Sequence, residues 1–281
     1  MIDVAFWGVR GSCSCSGTDT IRYGGNTSCV VLTIDGQDPI LLDLGSGVRS
    51  FGNAWLVEHP AGAFRGSALV THLHYDHIQG LPFFAPILSP GAQLDVYGPR
   101  QAHGSLAEEF HRFVSPPTFP VALDDFHGKL TFSEVLNDQL MLGDVSVKVA
   151  SVPHTGATVG YRVAYGSSSV AYVSDHQQPH DGTFGVAESV LELVQGVDLL
   201  IHDAQYSPQE FALRRDWGHC TVEYAVEVAL RADVAKLALY HHDPSHSDEV
   251  LDGLLALAFR RAQGRSTLQI VAASEGLTLT V

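Results

Sequence analysis

The sequence predicts a single layered α/β domain over residues 1–281, and three observations carry that prediction. Apolar, β-rich runs end repeatedly in polar His, Asp and Gly clusters, as happens where strands deliver functional residues to loops at one edge of a sheet. Strands come first and strands mixed with helices follow, an order that suits packed α and β layers. No shift of composition resembles an interdomain linker, and no period of about 20 to 50 residues repeats.

Taken in order, residues 1–7 lack a basic leader region and read as a first strand rather than a signal peptide. Strands at 30–34 and 39–44 flank the turn Asp35-Gly36-Gln37-Asp38, and a short buried strand at 67–71 runs straight into His72. Further strands are expected at 94–97, 145–152, 159–164, 169–173, 197–202, 236–240, 267–271 and 277–281. Helical periodicity is clearest at 187–194, at 221–231 with Thr221 as N-cap, and at 247–261, where Ser247 precedes Asp248 and Glu249; 101–113 shows it more weakly. The three prolines of 115–120 make a surface loop.

Composition excludes several classes. With 45% hydrophobic residues the chain is not disordered. Its longest apolar stretches, such as 254–259, fall far short of the ~18 residues a bilayer span needs, so no membrane partner and a cytoplasmic location are expected. Sixteen Lys+Arg against 31 Asp+Glu give a formal charge of −15, which disfavours a large nucleic-acid partner, because surfaces that track phosphates need a basic excess. Cys13, Cys15, Cys29 and Cys220 are too few and too unevenly spaced for a disulfide framework and read as reduced thiols.

Histidine is the unusual residue: 15 of them, nearly as many as Lys and Arg together. After the strand at 67–71 comes His72-Leu73-His74-Tyr75-Asp76-His77, a spacing that chance places in such a chain on the order of a few times in a thousand. Alternation along an extended segment aims His72 and His74 the same way, while Asp76 and His77 begin the next turn and point to a neighbouring position. One short loop would thus serve two adjacent metals. More donors follow other strands: His154 after 145–152, Asp175 after 169–173, and His241-His242 after 236–240. A carboxylate such as Asp175 can bridge two cations about 3.5 to 4 Å apart.

With these residues in place the chain resembles the metallo-β-lactamase fold superfamily, specifically its phosphodiesterase branch, which contains ribonuclease Z and cyclic phosphodiesterases. The resemblance runs from about Phe6 to about Ser245 and implies a four-layer αββα sandwich with a dinuclear site on its rim. It implies His72, His74 and His154 as ligands of one metal, Asp76, His77 and His241 of the other, and Asp175 as the bridge. Zn is the default for the two divalent ions, with Mn and Fe also suited to such donors. Leu200-Ile201-His202-Asp203-Ala204-Gln205-Tyr206 resembles the ribonuclease Z segment H-E-A-T, and Trp217-Gly218-His219-Cys220-Thr221 its G-H-S-T. By that resemblance His219, oriented by Asp203, stabilises the transition state or protonates the leaving oxygen. The protruding tRNA-gripping arm of ribonuclease Z falls between the positions of His154 and Asp175, where this chain has room only for a strand pair. Family resemblance also leaves a homodimer open.

The expectation is therefore a dinuclear metal-dependent hydrolase, a phosphodiesterase acting on a small or cyclic phosphodiester such as a 3′,5′-cyclic nucleotide. Attack would come from a metal-bound hydroxide that Asp76 orients as well as ligates, with His219 and Asp203 assisting the leaving oxygen. A thioesterase or lactonase of the same fold is the alternative, and a metal-bound sensor or binding module without turnover is the second. Arg10 and Asn26, in the glycine-rich N-terminal turns, are considered as phosphate contacts.

Overall fold

The structure, a computed structural model, describes residues 1–60, 62–265 and 267–281. Its first half forms β1 (Asp3–Gly8), β2 (Cys29–Thr33), β3 (Ile40–Leu42), α1 (Gly47–Glu58), β4 (Arg65–Leu69), α2 (Tyr75–Ile78), β5 (Gln93–Gly98), α3 (Leu106–Phe113) and β6 (Lys129–Glu134). The second half forms β7 (Gln139–Leu142), β8 (Val145–Ser151), β9 (Val159–Tyr165), β10 (Ser168–Val173), α4 (Glu188–Val194), β11 (Leu199–Asp203), α5 (Pro208–Phe211), α6 (Val222–Arg231), β12 (Lys236–Tyr240), α7 (Asp248–Ala262), β13 (Gln269–Ala272) and β14 (Thr278–Thr280).

The strands make two seven-stranded sheets, ordered β14-β1-β2-β3-β4-β5-β6 and β13-β12-β11-β10-β9-β8-β7. Residues such as Val4, Val30, Leu32, Val147, Tyr161 and Ile201 fill the space between the sheets. The outer face of the first sheet packs on α1, α3 and the 81–88 turns through Leu41, Phe51, Phe84 and Phe110. The outer face of the second packs on α4, α6 and α7 through Leu193, Leu200, Val226 and Leu251. Helix, sheet, sheet and helix thus form four layers around three apolar cores, the αββα arrangement expected from the sequence.

Each sheet has a parallel half, β3 to β6 in one and β10 to β13 in the other. The carboxyl ends of β3, β4, β10, β11 and β12 reach one rim, and side chains that follow a strand there share a single opening. Two contacts pin the sheets together beside it: Tyr161 Oη donates to the Val70 carbonyl (2.7 Å) and Val159 N to the Thr71 carbonyl (3.0 Å).

Helix starts follow the sequence signals. Thr221 Oγ1 accepts from Tyr224 N (3.1 Å) and Ser247 Oγ from Val250 N (3.4 Å), caps worth ~1 kcal/mol each. In the weakly periodic stretch 101–113 the helix begins only at Leu106, where Ser105 and Glu108 form a reciprocal capping box. Helix α1 was not expected, because Gly47 and Gly52 interrupt its apolar pattern; a Cβ on Gly52 would stand 2.8 Å from Pro86 and 2.9 Å from Phe84, so the glycine sets how closely α1 packs. The edge strands β6 and β7 were also missed, since half-exposed edges carry little hydrophobic pattern. Among the described residues no helix is long and apolar enough to cross a membrane.

Candidate metal centre

The rim gathers residues from both sheets. His72, His74, Asp76 and His77 come from the loop and short helix after β4; His154 follows β8, Asp175 follows β10 and His241 follows β12. Donor atoms of His72, His74 and His154 converge as one group, and those of Asp76, His77 and His241 as a second. His154 Nε2 lies 3.2 Å from His74 Nδ1, while His77 Nε2 lies 3.2 Å from His241 Nε2 and the same distance from Asp76 Oδ2.

Asp175 stands between the groups and divides its oxygens. Oδ1 is 3.8 Å from His72 Nε2 and 3.7 Å from His154 Nε2, whereas Oδ2 is 3.3 Å from His77 Nε2 and 3.5 Å from His241 Nε2.

The outward-facing nitrogens decide where the protons sit. His154 Nδ1 donates to the Gly218 carbonyl (2.6 Å) and His241 Nδ1 to Gln205 Oε1 (2.8 Å). His77 Nδ1 donates to Asp43 Oδ2 (2.7 Å). Thr71 gives its hydroxyl proton to Asp43, so its oxygen accepts from His72 Nδ1 (3.1 Å). Held this way the rings turn their Nε2 atoms inward, where they face one another and two carboxylates, and in the neutral form each Nε2 offers a bare lone pair. His72 Nε2 and Asp175 Oδ2 are buried without a hydrogen-bond partner, a costly arrangement for polar atoms unless a cation lies between them. Imidazole and carboxylate donors with a shared carboxylate fit a pair of divalent ions.

Charge agrees with geometry. Burial pushes the His72 imidazole well below its ordinary pKa, and burial lowers His74 and His154 as well. Burial would lower His77 too, but Asp76, Asp175 and Asp43 together outweigh it and hold His77 well above the usual range. Burial opposes ionisation of Asp175, yet His241, His77, His72 and His154 hold its carboxyl well below the usual range. The first group is thus built for neutral ligands, and the second has a surplus of negative charge to offset.

Two glycines and a strained residue make the packing feasible. A Cβ on Gly11 would sit 2.3 Å from the His241 ring, and one on Gly218, already at φ +94°, would sit 2.3 Å from the His154 ring. Gly218 therefore belongs to the site rather than to the helix cap, which Thr221 supplies. His241 has φ +58°, a left-handed conformation that costs a side-chain-bearing residue on the order of 1 kcal/mol. Its aim at the donors comes from that kink just past β12 and not from strand alternation alone; His242 instead donates from Nε2 to the Ala273 carbonyl (2.9 Å).

Beside the donors, His219 Nδ1 lies 3.0 Å from Asp203 Oδ2, and Asp203 is fully buried and also accepts from His176 N and Gln205 N. His219 forms one wall of a cavity of about 450 Å³ together with Ser12, His74, Tyr75, Asp76 and Trp217. Backbone N–H of Ser12 donates to Asp76 Oδ2 (2.6 Å).

Some expectations change. Arg10 is fully buried and donates to the carbonyls of Gly24, Asp243 and His246, and Asn26 is tied to Glu275, so both brace the N-terminal turns. His246, outside the donor set, is buried, with Nε2 2.7 Å from Glu210 Oε1. Asp43, Thr71 and Gln205 escaped the sequence reading of the site. For Asp43 the signal was a lone carboxylate inside the apolar run 40–44; it is fully buried at φ +61° and also accepts from Thr71 N and Tyr172 Oη.

Comparison with known proteins places this geometry in context. The profile of the Beta-lactamase superfamily domain matches residues 40–242. A protein named Ribonuclease Z from Natronomonas pharaonis is 25% identical over 265 residues, covering 77% of this chain and 81% of that protein. The crystal structure of the metallo-β-lactamase fold protein YhfI from Bacillus subtilis superposes with a TM-score of 0.73 at 19% identity, covering 99% of this chain and 98% of that one. A diphosphatase of the PhnP family superposes with a TM-score of 0.68 at 18% identity, covering 100% and 98%.

Proposed function

This chain belongs to the beta-lactamase superfamily as a metallo-β-lactamase-fold hydrolase of the phosphodiesterase branch, and on that footing we propose that it hydrolyses a small phosphodiester at a pair of divalent cations, zinc by preference. His72, His74 and His154 would hold one ion, Asp76, His77 and His241 the other, with Asp175 shared. Ions bound there supply Lewis acidity, lowering the pKa of a coordinated water and drawing charge from phosphoryl oxygens.

The observation that carries the reading is the His219–Asp203 pair at the wall of the donor cavity. With Nδ1–H donated to Asp203, which fixes the ring's orientation, His219 has Nε2 free; in its doubly protonated form it would give the Nε2 proton to the departing ester oxygen and return to the neutral ring. Asp76, whose Oδ2 accepts from Ser12 N, would orient an attacking water as well as hold the ion. A compact substrate suits the net charge of −15 and the strands β9 and β10, which fill the interval between His154 and Asp175. Ribonuclease Z as the name of curated relatives favours RNA as the second substrate reading.

The test is a panel of bis(p-nitrophenyl) phosphate, an acyl thioester and a lactone, run on zinc-loaded protein and on His219→Ala. Turnover of the diester should dominate. For diesters with alkoxide leaving groups the variant should lose ~10² to 10⁴ in rate. The loss should shrink for p-nitrophenolate, which departs without a proton. Faster cleavage of the thioester or lactone would sink the phosphodiesterase reading. A His219→Ala variant that cleaves a cyclic nucleotide at the wild-type rate would remove its support.

A further inference from the structure

We propose that a second cavity, next to the metal cavity and walled by Tyr75, Phe83, Phe113 and Phe119, receives a planar aromatic substituent of the diester, of nucleobase size. The proposal rests on the phosphodiesterase reading and specifies what the substrate carries beside its phosphorus.

The argument begins in the motif itself. Alternation along 72–74 turns His72 and His74 toward the metal donors and leaves Leu73 for the other side. Tyr75 and Ile78, one turn apart on α2, extend that second face, while Asp76 and His77 from the same turn serve the donors. Leu73, Tyr75 and Ile78 line a separate cavity of about 490 Å³ together with Phe83, Phe113 and Phe119. Tyr75 lines both cavities, so a group bonded to phosphorus at the donors has only one ring to pass before it reaches the second space.

The walls are built for a flat ring. Tyr75 meets Phe113 edge to face at 5.5 Å, and Phe83 meets Phe119 in the same way at 5.9 Å. Tyr75 is 64% exposed and Phe83 55%, so two large aromatics around one hollow stay more than half in water. A flat ring received in the hollow would cover part of that exposed aromatic area and gain ring–ring contact. Polar side chains sit at the edge: Glu109 and Arg112, paired with each other, and Gln79 and Thr118. Apolar faces with a few polar groups at the rim match a pocket for a heterocycle, and the volume lies in the range of small-ligand sites.

Two diesters with the same leaving group isolate the pocket: bis(p-nitrophenyl) phosphate and methyl p-nitrophenyl phosphate differ only in the ester group that stays behind. Zinc-loaded wild type should favour the aryl diester in kcat/KM by roughly tenfold or more, and Phe83→Ala should collapse that preference. Calorimetry supplies a readout without turnover: phenyl phosphate should bind wild type at least several-fold tighter than methyl phosphate, and Phe83→Ala should erase the difference. Equal rates and equal affinities for the aryl and methyl members overturn the pocket. So does a Phe83→Ala variant that slows both diesters alike, or a wild-type dimer that Phe83→Ala dissociates with selectivity intact, since a second copy would then be the occupant. Failure to cleave either diester while phenyl phosphate still binds preferentially overturns the phosphodiesterase reading and leaves the aromatic subsite standing.

Discussion

Asp43 Oδ2 lies 2.7 Å from His77 Nδ1, so a carboxylate from the end of the third strand sets which nitrogen of a candidate metal ligand is bare. Asp43→Asn exchanges one acceptor for a donor and frees His77 to turn or change tautomer. Metal affinity, measured by competition with a chromophoric chelator, should fall by ~10- to 100-fold. Unchanged affinity would mean that the ligand is held by its backbone alone.

Asp175 is the residue whose loss should reach both ions, because its two oxygens face different donor groups. Elemental analysis of Asp175→Ala should give one equivalent of metal or less, with turnover abolished. His74→Ala, which touches one group only, should retain more metal. Two full equivalents in the Asp175 variant would show that the carboxylate bridges nothing.

The neighbours His241 and His242 should separate cleanly. His241→Ala should lose metal. His242→Ala should keep it but lose about 1–3 kcal/mol of stability in urea unfolding, since the buried Ala273 carbonyl is left without its donor. Metal loss confined to the His242 variant would place the ligand one residue along.

Glu227 offers a pH test away from the metals. Its carboxylate accepts from Arg265, Arg231 and Arg261, with Arg265 the strongest influence, and is pulled from 4.5 down to about 2. A carboxyl lowered on folding stabilises fully above its unfolded pKa and loses that contribution as pH falls toward its folded value. Glu227→Gln should therefore cost about 1 kcal/mol near pH 7, after allowance for screening around these part-exposed arginines, and the gap to wild type should close between about pH 4.5 and 2. A gap that does not change with pH would mean the charge contributes nothing.

Central strands were legible because they are apolar throughout and end in polar clusters; edge strands and a glycine-interrupted helix were not, because their residues face water or close contacts rather than a periodic core. The second cavity was invisible for another reason. Phe83, Phe113 and Phe119 stand in three separate segments, and nothing in their spacing says that they meet around Tyr75.

By itself the sequence determined that His72, His74, Asp76 and His77 share one short loop as candidate donors, since the directions of neighbouring side chains there follow from backbone geometry. It also determined that His154, Asp175 and His241, the further candidate donors, would follow strands. Only the tertiary structure decided which nitrogen of each imidazole faces inward and how Asp175 divides its oxygens. Those choices depend on partners such as Asp43, Gln205 and the Gly218 carbonyl, which lie far along the chain from the histidines they orient. Hydrogen bonds between such distant groups form only after the two sheets pack, so no local pattern encodes them.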